Sequence, residues 1–207
     1  MERDRGVTTV LPDAITQERV ISVARRLDAS TAPALAEALL EGGLSSLEVT
    51  VEGPGGIDAL ESLRDTGMTV GAGTVVSIDQ AAAATAAGAR FLVSPHLDLG
   101  LIDWARDHGV PLIPGALTPT EVAMAWMRRP PAVKIFPAHL GGPGYLKSLL
   151  GPYPDLALIP TGGVDADNAG AFLSAGAVAV GVGGWLTGHA DLAEVTRRAR
   201  LLVARVV

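Results

Sequence analysis

Pro131-Ala132-Val133-Lys134-Ile135-Phe136-Pro137 is the most apolar stretch of the chain, and it carries one of only two lysines. β-Branched and aromatic residues bracketed by prolines read as a short buried strand with Lys134 at its middle. Positive charge elsewhere is supplied almost wholly by arginine, which is no nucleophile near neutral pH. Burial disfavours the charged form of an amine, and an uncharged amine attacks carbonyls to form a Schiff base. The competing reading is a stem that crosses a strand while its ammonium snorkels to water. This stretch alone does not choose between them.

Outward from that strand the same unit repeats. Short apolar runs begin near Val20, Ser46, Thr69, Phe91, Val110, Val133, Ala157 and Val178, and each is followed by an Ala/Leu-rich stretch of helical period. Gly42-Gly43 ends the first such helix, as glycines just past a C-terminus do. Eight strand–helix units with short connections predict an α/β protein, a single (β/α)8 TIM barrel over residues 20–207. A doubly wound open sheet is the alternative and calls for less regular connections. Residues 1–19 precede the first unit and are expected to form an arm or short helix.

The chain has 207 residues, enough for one sizeable core. Hydrophobic residues make up 48% and aromatics only 4%, which suits small side chains packed on a buried parallel sheet. A net charge of −6 argues against a nucleic-acid or anionic-membrane footprint. With no cysteine, disulfides and thiolate metal sites are excluded. Met1-Glu2-Arg3-Asp4-Arg5 mixes both charges and leads into no apolar signal core, and no apolar run reaches membrane-spanning length. A soluble cytoplasmic protein is expected.

In such a barrel the chemistry sits where strands end. Those ends carry Arg25, Glu48, Thr50, Thr74, Ser94-Pro95, Pro114-Gly115, Lys134, Thr161-Gly162-Gly163 and Gly183-Gly184. Alternation puts Glu48 and Thr50 on one face, so an inward Glu48 is placed for proton transfer beside Lys134. Its competing role is a structural ion pair with an arginine. The glycines after the last two strands sit where many barrels bind phosphate through backbone N–H groups; plain tight turns are the other reading. His96, His108, His139 and His189 lack metal-ligand spacing. Of these, His139 is close enough to Lys134 in sequence to be a minor candidate for substrate contact.

Leu47-Glu48-Val49-Thr50, Gly71-Ala72-Gly73-Thr74-Val75, Ser94-Pro95, Pro111-Leu112-Ile113-Pro114-Gly115, Val133-Lys134-Ile135-Phe136-Pro137-Ala138 and Pro160-Thr161-Gly162-Gly163-Val164 occur in that order. Together they resemble the 2-keto-3-deoxy-6-phosphogluconate (KDPG) and 4-hydroxy-2-oxoglutarate aldolases of class I. The resemblance implies a homotrimer of (β/α)8 barrels, without metal or cofactor, that cleaves a 2-keto-3-deoxy sugar acid to pyruvate and an aldehyde. For KDPG the aldehyde is glyceraldehyde 3-phosphate. It implies that Lys134 is the Schiff-base lysine and Glu48 the general acid/base. Arg25, Thr74, Pro95, Phe136 and Thr161 are then expected to contact substrate, with Gly162, Gly163, Gly183 and Gly184 at the phosphate end.

Two positions depart from the pattern. Glu48-Val49-Thr50-Val51-Glu52 ends in an acid where the family commonly has arginine, and Gly183-Gly184-Trp185-Leu186 has glycine for a usual serine. Glu52 is either neutralised by Arg25 or Arg26 or faces a polyhydroxylated end of a different substrate. These departures keep open an unphosphorylated or galactonate-type substrate, or a sugar-acid-binding barrel without turnover. A phosphate-binding isomerase or synthase is a further alternative, but it leaves Lys134 and Glu48 without a task.

Overall fold

The computed structural model describes residues 9–53 and 55–206, so residues 1–8 of the expected arm lie outside the described residues. The apolar runs form nine almost wholly buried strands among these residues: β1 (Val20–Ala24), β2 (Ser46–Thr50), β3 (Thr69–Gly73), β4 (Leu92–Val93), β5 (Leu112–Ile113), β6 (Gly115–Ala116), β7 (Val133–Ile135), β8 (Leu158–Pro160) and β9 (Val180–Val182). Between and around them lie α1 (Asp13–Glu18), α2 (Ala32–Glu41), α3 (Gly56–Ser62), α4 (Ile78–Ala86), α5 (Leu99–Asp107), α6 (Pro119–Trp126), α7 (Gly142–Leu150), α8 (Ala169–Ser174), α9 (Gly184–Thr187) and α10 (Leu192–Val206). Local chemistry starts several of these helices. Ser77 caps α4, Asp98 caps α5, and Thr118 with Glu121 forms a reciprocal capping box on α6.

All strand pairs are parallel, in the orders β5-β4-β3-β2-β1-β9 and β6-β7-β8. The chain is thus an α/β protein on a curled parallel sheet. A parallel bridge, Thr161 to Gly181, and a bond from the Val178 N–H to the Leu158 carbonyl join β8 to β9. On the other flank β5 and β6 are pieces of one extended segment, where a single strand was expected. Pro114 separates them because it has no N–H to give a ladder.

Alternation sorts the core into two clusters. Val20, Leu47, Val49, Val70, Leu92, Val133, Leu158 and Val180 pack with helix residues such as Leu39, Leu101, Leu146 and Leu202. The opposite parity, Ile21, Val23, Phe91, Val93, Ile113, Ala132, Ile159 and Ala179, packs inside the curl with Ile15 of α1. Helix α1 is pinned across the strand starts: Arg19 donates to the carbonyls of Ala177 and Val178, and Glu18 accepts from Ser45. One end of the interior is therefore plugged, and the polar inward residues collect at the other.

Ser94 repairs the break at Pro114. Its Oγ accepts the Gly115 N–H at 3.3 Å and donates to the His96 carbonyl at 2.7 Å. Ser94 is 1% exposed, so no bulk water substitutes for it. Replacing it with alanine leaves a buried N–H unsatisfied, and Ser94→Ala is expected to lower unfolding free energy by about 1–3 kcal/mol in urea titration. An unchanged midpoint would refute this role.

On α10, Glu194 lies 2.7 Å from Arg197 and 2.6 Å from Arg198. Hydrogen bonds from Arg197 and then Arg198 hold its carboxyl down at about 2. A depressed carboxyl contributes stability above its unfolded range, near ~4.3, and loses it as pH falls through the folded value. The stability gap between wild type and Glu194→Gln should therefore be constant at neutral pH and close between about pH 4 and pH 2. A gap unchanged down to the acid limit of the native state would count against it.

Candidate active site

Strand parity decides which polar side chains meet. On β2, Ser46, Glu48 and Thr50 share the inward face, and all are buried. On β7 the register sets Lys134 between Gly115 and Ile159, with its side chain turned into the same interior. Lys134 Nζ lies 3.6 Å from Glu48 Oε1, with side-chain exposures of 7% and 3%. The Phe136 ring centroid is 5.4 Å from Nζ. These contacts place Lys134 inside, not at a snorkelling surface position.

The neighbouring strands make room for this pair. Glu48 aligns with Gly71 on β3, and a Cβ on Gly73 would overlap the Glu48 carboxylate. A Cβ on Gly71 would likewise overlap the Phe91 ring. Gly71-Ala72-Gly73 is therefore strand, with two inward glycines cleared for a ring and a carboxylate. Gly115, opposite Lys134, lies so close to the Ser94 and Pro95 carbonyls that a Cβ would collide with them. The Lys134 N–H bonds the Pro114 carbonyl at 2.9 Å and Phe136 N–H bonds that of Ala116 at 3.0 Å, so β7 is held at the ladder break.

Thr74 follows β3 with φ +57°, a left-handed conformation that costs a β-branched residue strain. Such strain persists only where its surroundings impose it, and here it falls at the open end of the site. Arg26 has φ +51°, and its N–H bonds Thr50 Oγ1 at 3.2 Å. Thr161, buried at the end of β8, stands over Gly181, where any Cβ would overlap its hydroxyl.

The remaining expected residues divide between two cavities. One, of about 260 Å³, is lined by Val23, Arg25, Thr161, Gly162, Gly163 and the Gly183–Trp185 turn, with Val164 and Asp165. Gly162 and Gly163 have φ +93° and +75°, conformations that suit glycine. Among the described residues, the N–H groups of Gly163 and Gly184 have no protein acceptor. Asp165 uses its carboxylate on the Asp167 and Asn168 N–H groups at 2.9 and 3.1 Å. His139 packs against Gly163 at the rim, and its N–H bonds the Gly162 carbonyl at 3.1 Å.

The second cavity holds Arg26, Asp28, Thr50, Glu52 and Asp58. Neither Arg25 nor Arg26 comes within ion-pair distance of Glu52 among the described residues, so the first of its two alternatives, neutralisation by an arginine, is not met. Glu52 and Arg25 are both exposed and line different cavities, so each charge is met by water. No group of three or more His, Asp or Glu residues is arranged to hold a metal ion among the described residues.

Sequence reasoning missed Val23 and Trp185 as lining residues, along with the support behind Trp185. Val23 was legible from parity, two residues before Arg25. Trp185 was not, because α9 is a single turn with no periodic signal.

A family model described as KDPG and KHG aldolase matches residues 11–198. The 2-dehydro-3-deoxy-phosphogluconate aldolase of Pseudomonas aeruginosa is 37% identical over 179 residues, covering 83% of this chain and 81% of that one. The KHG/KDPG aldolase of Escherichia coli is 36% identical over 155 residues, covering 73% of each. Among solved structures, the KDPG aldolase of Legionella pneumophila, with pyruvate captured as a covalent carbinolamine, superposes with a TM-score of 0.85. It is 32% identical, with 91% of this chain and 96% of that one covered. The 2-keto-3-deoxy-6-phosphogluconate aldolase of Zymomonas mobilis gives 0.86 at 32% identity, covering 94% and 98%. With a buried lysine–glutamate pair at its centre and matches of this extent, the chain belongs to the KDPG and KHG aldolase family.

Proposed function

We propose that this protein is a class I aldolase that cleaves a 2-keto-3-deoxy sugar acid, with KDPG the favoured substrate, to pyruvate and glyceraldehyde 3-phosphate. The carrying observation is the Lys134–Glu48 pair, 3.6 Å apart and out of water. A buried ion pair is a poor stabilising device because desolvation offsets its attraction. The same pair is what imine chemistry needs: a nucleophilic amine and a nearby group to move protons.

Glu48 takes the ammonium proton and frees Nζ to attack the C2 ketone. Glu48 returns that proton to the hydroxyl of the resulting carbinolamine, which leaves as water and gives an iminium that withdraws electrons from C3. Glu48, directly or through a water, then removes the C4 hydroxyl proton. The C3–C4 bond breaks, the aldehyde leaves, and the electron pair rests in an enamine. Protonation at C3 and hydrolysis release pyruvate and restore Lys134. Thr74 and Pro95 at the open end are assigned to hold the reacting end, and Phe136 packs beside the amine.

The distal phosphate is assigned to the cavity of Arg25, Thr161, Gly162, Gly163, Gly183 and Gly184. Free N–H groups and one guanidinium suit a dianion, although the chain's overall charge is negative. Glu52 lies in the other cavity, away from the imine-forming pair, which favours turnover over a merely sugar-acid-binding barrel.

The same reading takes the sheet as a closed (β/α)8 barrel over residues 20–207, preceded by an arm and plug helix. The bridge from Thr161 to Gly181 and the continuity of β5 with β6 support closure. It also takes the protein as a cytoplasmic homotrimer. Exposed Met124 on α6 and Met127 just past its end, with Val76 before α4 and Ile78 at its first residue, offer apolar surface for self-association. No helix among the described residues is long and apolar enough to cross a membrane.

Borohydride reduction in the presence of pyruvate should add irreversible mass at Lys134 and nowhere else. A modified Lys147 with Lys134 untouched would sink the proposal. Glu48→Gln is expected to lower kcat for pyruvate release by about 10²–10⁴-fold, the scale of a lost general acid/base, in a coupled lactate dehydrogenase assay. Full activity in that variant would remove Glu48 from the mechanism.

A further inference from the structure

The Gly183–Trp185 turn forms one wall of the distal cavity; the Leu186 and Thr187 N–H groups close its start on the Gly183 carbonyl, but neither bond reaches Trp185. Helix α9 is one turn long, and Gly184 has open space where a side chain would stand. Rigidity comes instead from elsewhere in the chain. Arg198, on α10, donates from Nη1 to the Trp185 carbonyl at 2.7 Å, and its guanidinium lies 5.1 Å from the Trp185 ring. His189 Nε2 is 3.1 Å from the same carbonyl oxygen. Arg198 is itself anchored by Nε to Glu194 at 2.6 Å, and its side chain is 21% exposed. Thr187 Oγ1 donates to the Val23 carbonyl at 2.6 Å, tying the turn to the strand that leads into Arg25.

We propose that Arg198 is a positioning residue for the distal anion, fixing the Gly183–Trp185 turn through the Trp185 carbonyl and ring and so setting the preference for phosphorylated substrate. This rests on the assignment of that cavity to the substrate's phosphate. The physical argument is one of preorganisation. A backbone N–H binds an anion well only if it is already aimed, and glycine turns are the least able to aim themselves. A planar, always charged guanidinium meets that need: it hydrogen-bonds a carbonyl, pairs with a carboxylate and stacks on an aromatic ring at once. Arg198 lines neither cavity, so it acts through Trp185 and does not touch the ligand.

The test compares 2-keto-3-deoxygluconate with and without its 6-phosphate on wild type, Arg198→Met and Arg198→Lys, alongside exchange of the pyruvate methyl protons with deuterium oxide. Exchange reports imine and enamine formation at Lys134 and needs no distal group. In Arg198→Met, KM for the phosphorylated substrate should rise about 10- to 100-fold. KM for the unphosphorylated substrate and the exchange rate should hold, and Arg198→Lys should recover part of the loss. Equal losses on both substrates and in exchange would mark a general structural role and overturn the inference, as would an unchanged KM for the phosphorylated substrate. If Arg198→Met does not fold, Glu194→Gln, which loosens Arg198 without removing it, should shift the same KM in the same direction by less, and no shift counts against the inference. A wild type indifferent to the phosphate would instead remove the distal-anion assignment, and this inference with it.

Discussion

An amine and a carboxylate held 3.6 Å apart in a water-poor interior are the constraint around which this molecule is arranged. Each charge loses hydration on burial, so the surroundings must leave room for both groups and hold them in register. That explains features which are odd taken singly. Gly73 has no side chain because the Glu48 carboxylate occupies its space. Gly115 has none because the Pro95 carbonyl approaches it, and that approach is set by a sheet break at Pro114 opposite Lys134. Ser94 then supplies the hydrogen bond that the break would otherwise forfeit.

The interior is asymmetric along its axis. Ile15 of α1 joins the apolar cluster at the strand starts, and the polar inward residues lie toward the strand ends. A keto acid entering from the open end would meet Thr74, Pro95 and Phe136 around the amine and the glycine turns farther out. The reacting end is built on strands, where paired backbone fixes each side chain. The distal end is built on turns, and its order comes from side chains of α9 and α10 such as Thr187 and Arg198. The two ends therefore have separable supports, which allows substrate choice to vary while the imine chemistry stays constant.

The sequence itself carried much of this. Short β-branched runs separated by Ala/Leu-rich stretches of helical period determined a parallel α/β protein. An ionisable residue at the middle of such a run, as with Lys134 and Glu48, pointed to the candidate site, because a titratable group buried among apolar neighbours serves chemistry better than packing. The family motifs were legible in order along the chain. What sequence alone could not decide were relations between residues distant in the chain. Nothing local explains Gly71 and Gly73, because the Phe91 ring and the Glu48 carboxylate that exclude a side chain there come from distant parts of the chain. Pro114 splits β5 from β6 for a reason visible in the chain, but that Ser94 Oγ takes up the Gly115 N–H depends on the packed sheet. Whether Glu52 meets an arginine was open in the sequence, and the folded chain decides it by sending Arg25 to a different cavity. Arg198 carries no signal of its role in the sequence, and only the packing of α10 against α9 sets it over Trp185. Local pattern determines strand, helix and inward parity because these follow from spacing along one chain. Register and helix docking decide which of those side chains meet, and they are properties of the packed sheet alone.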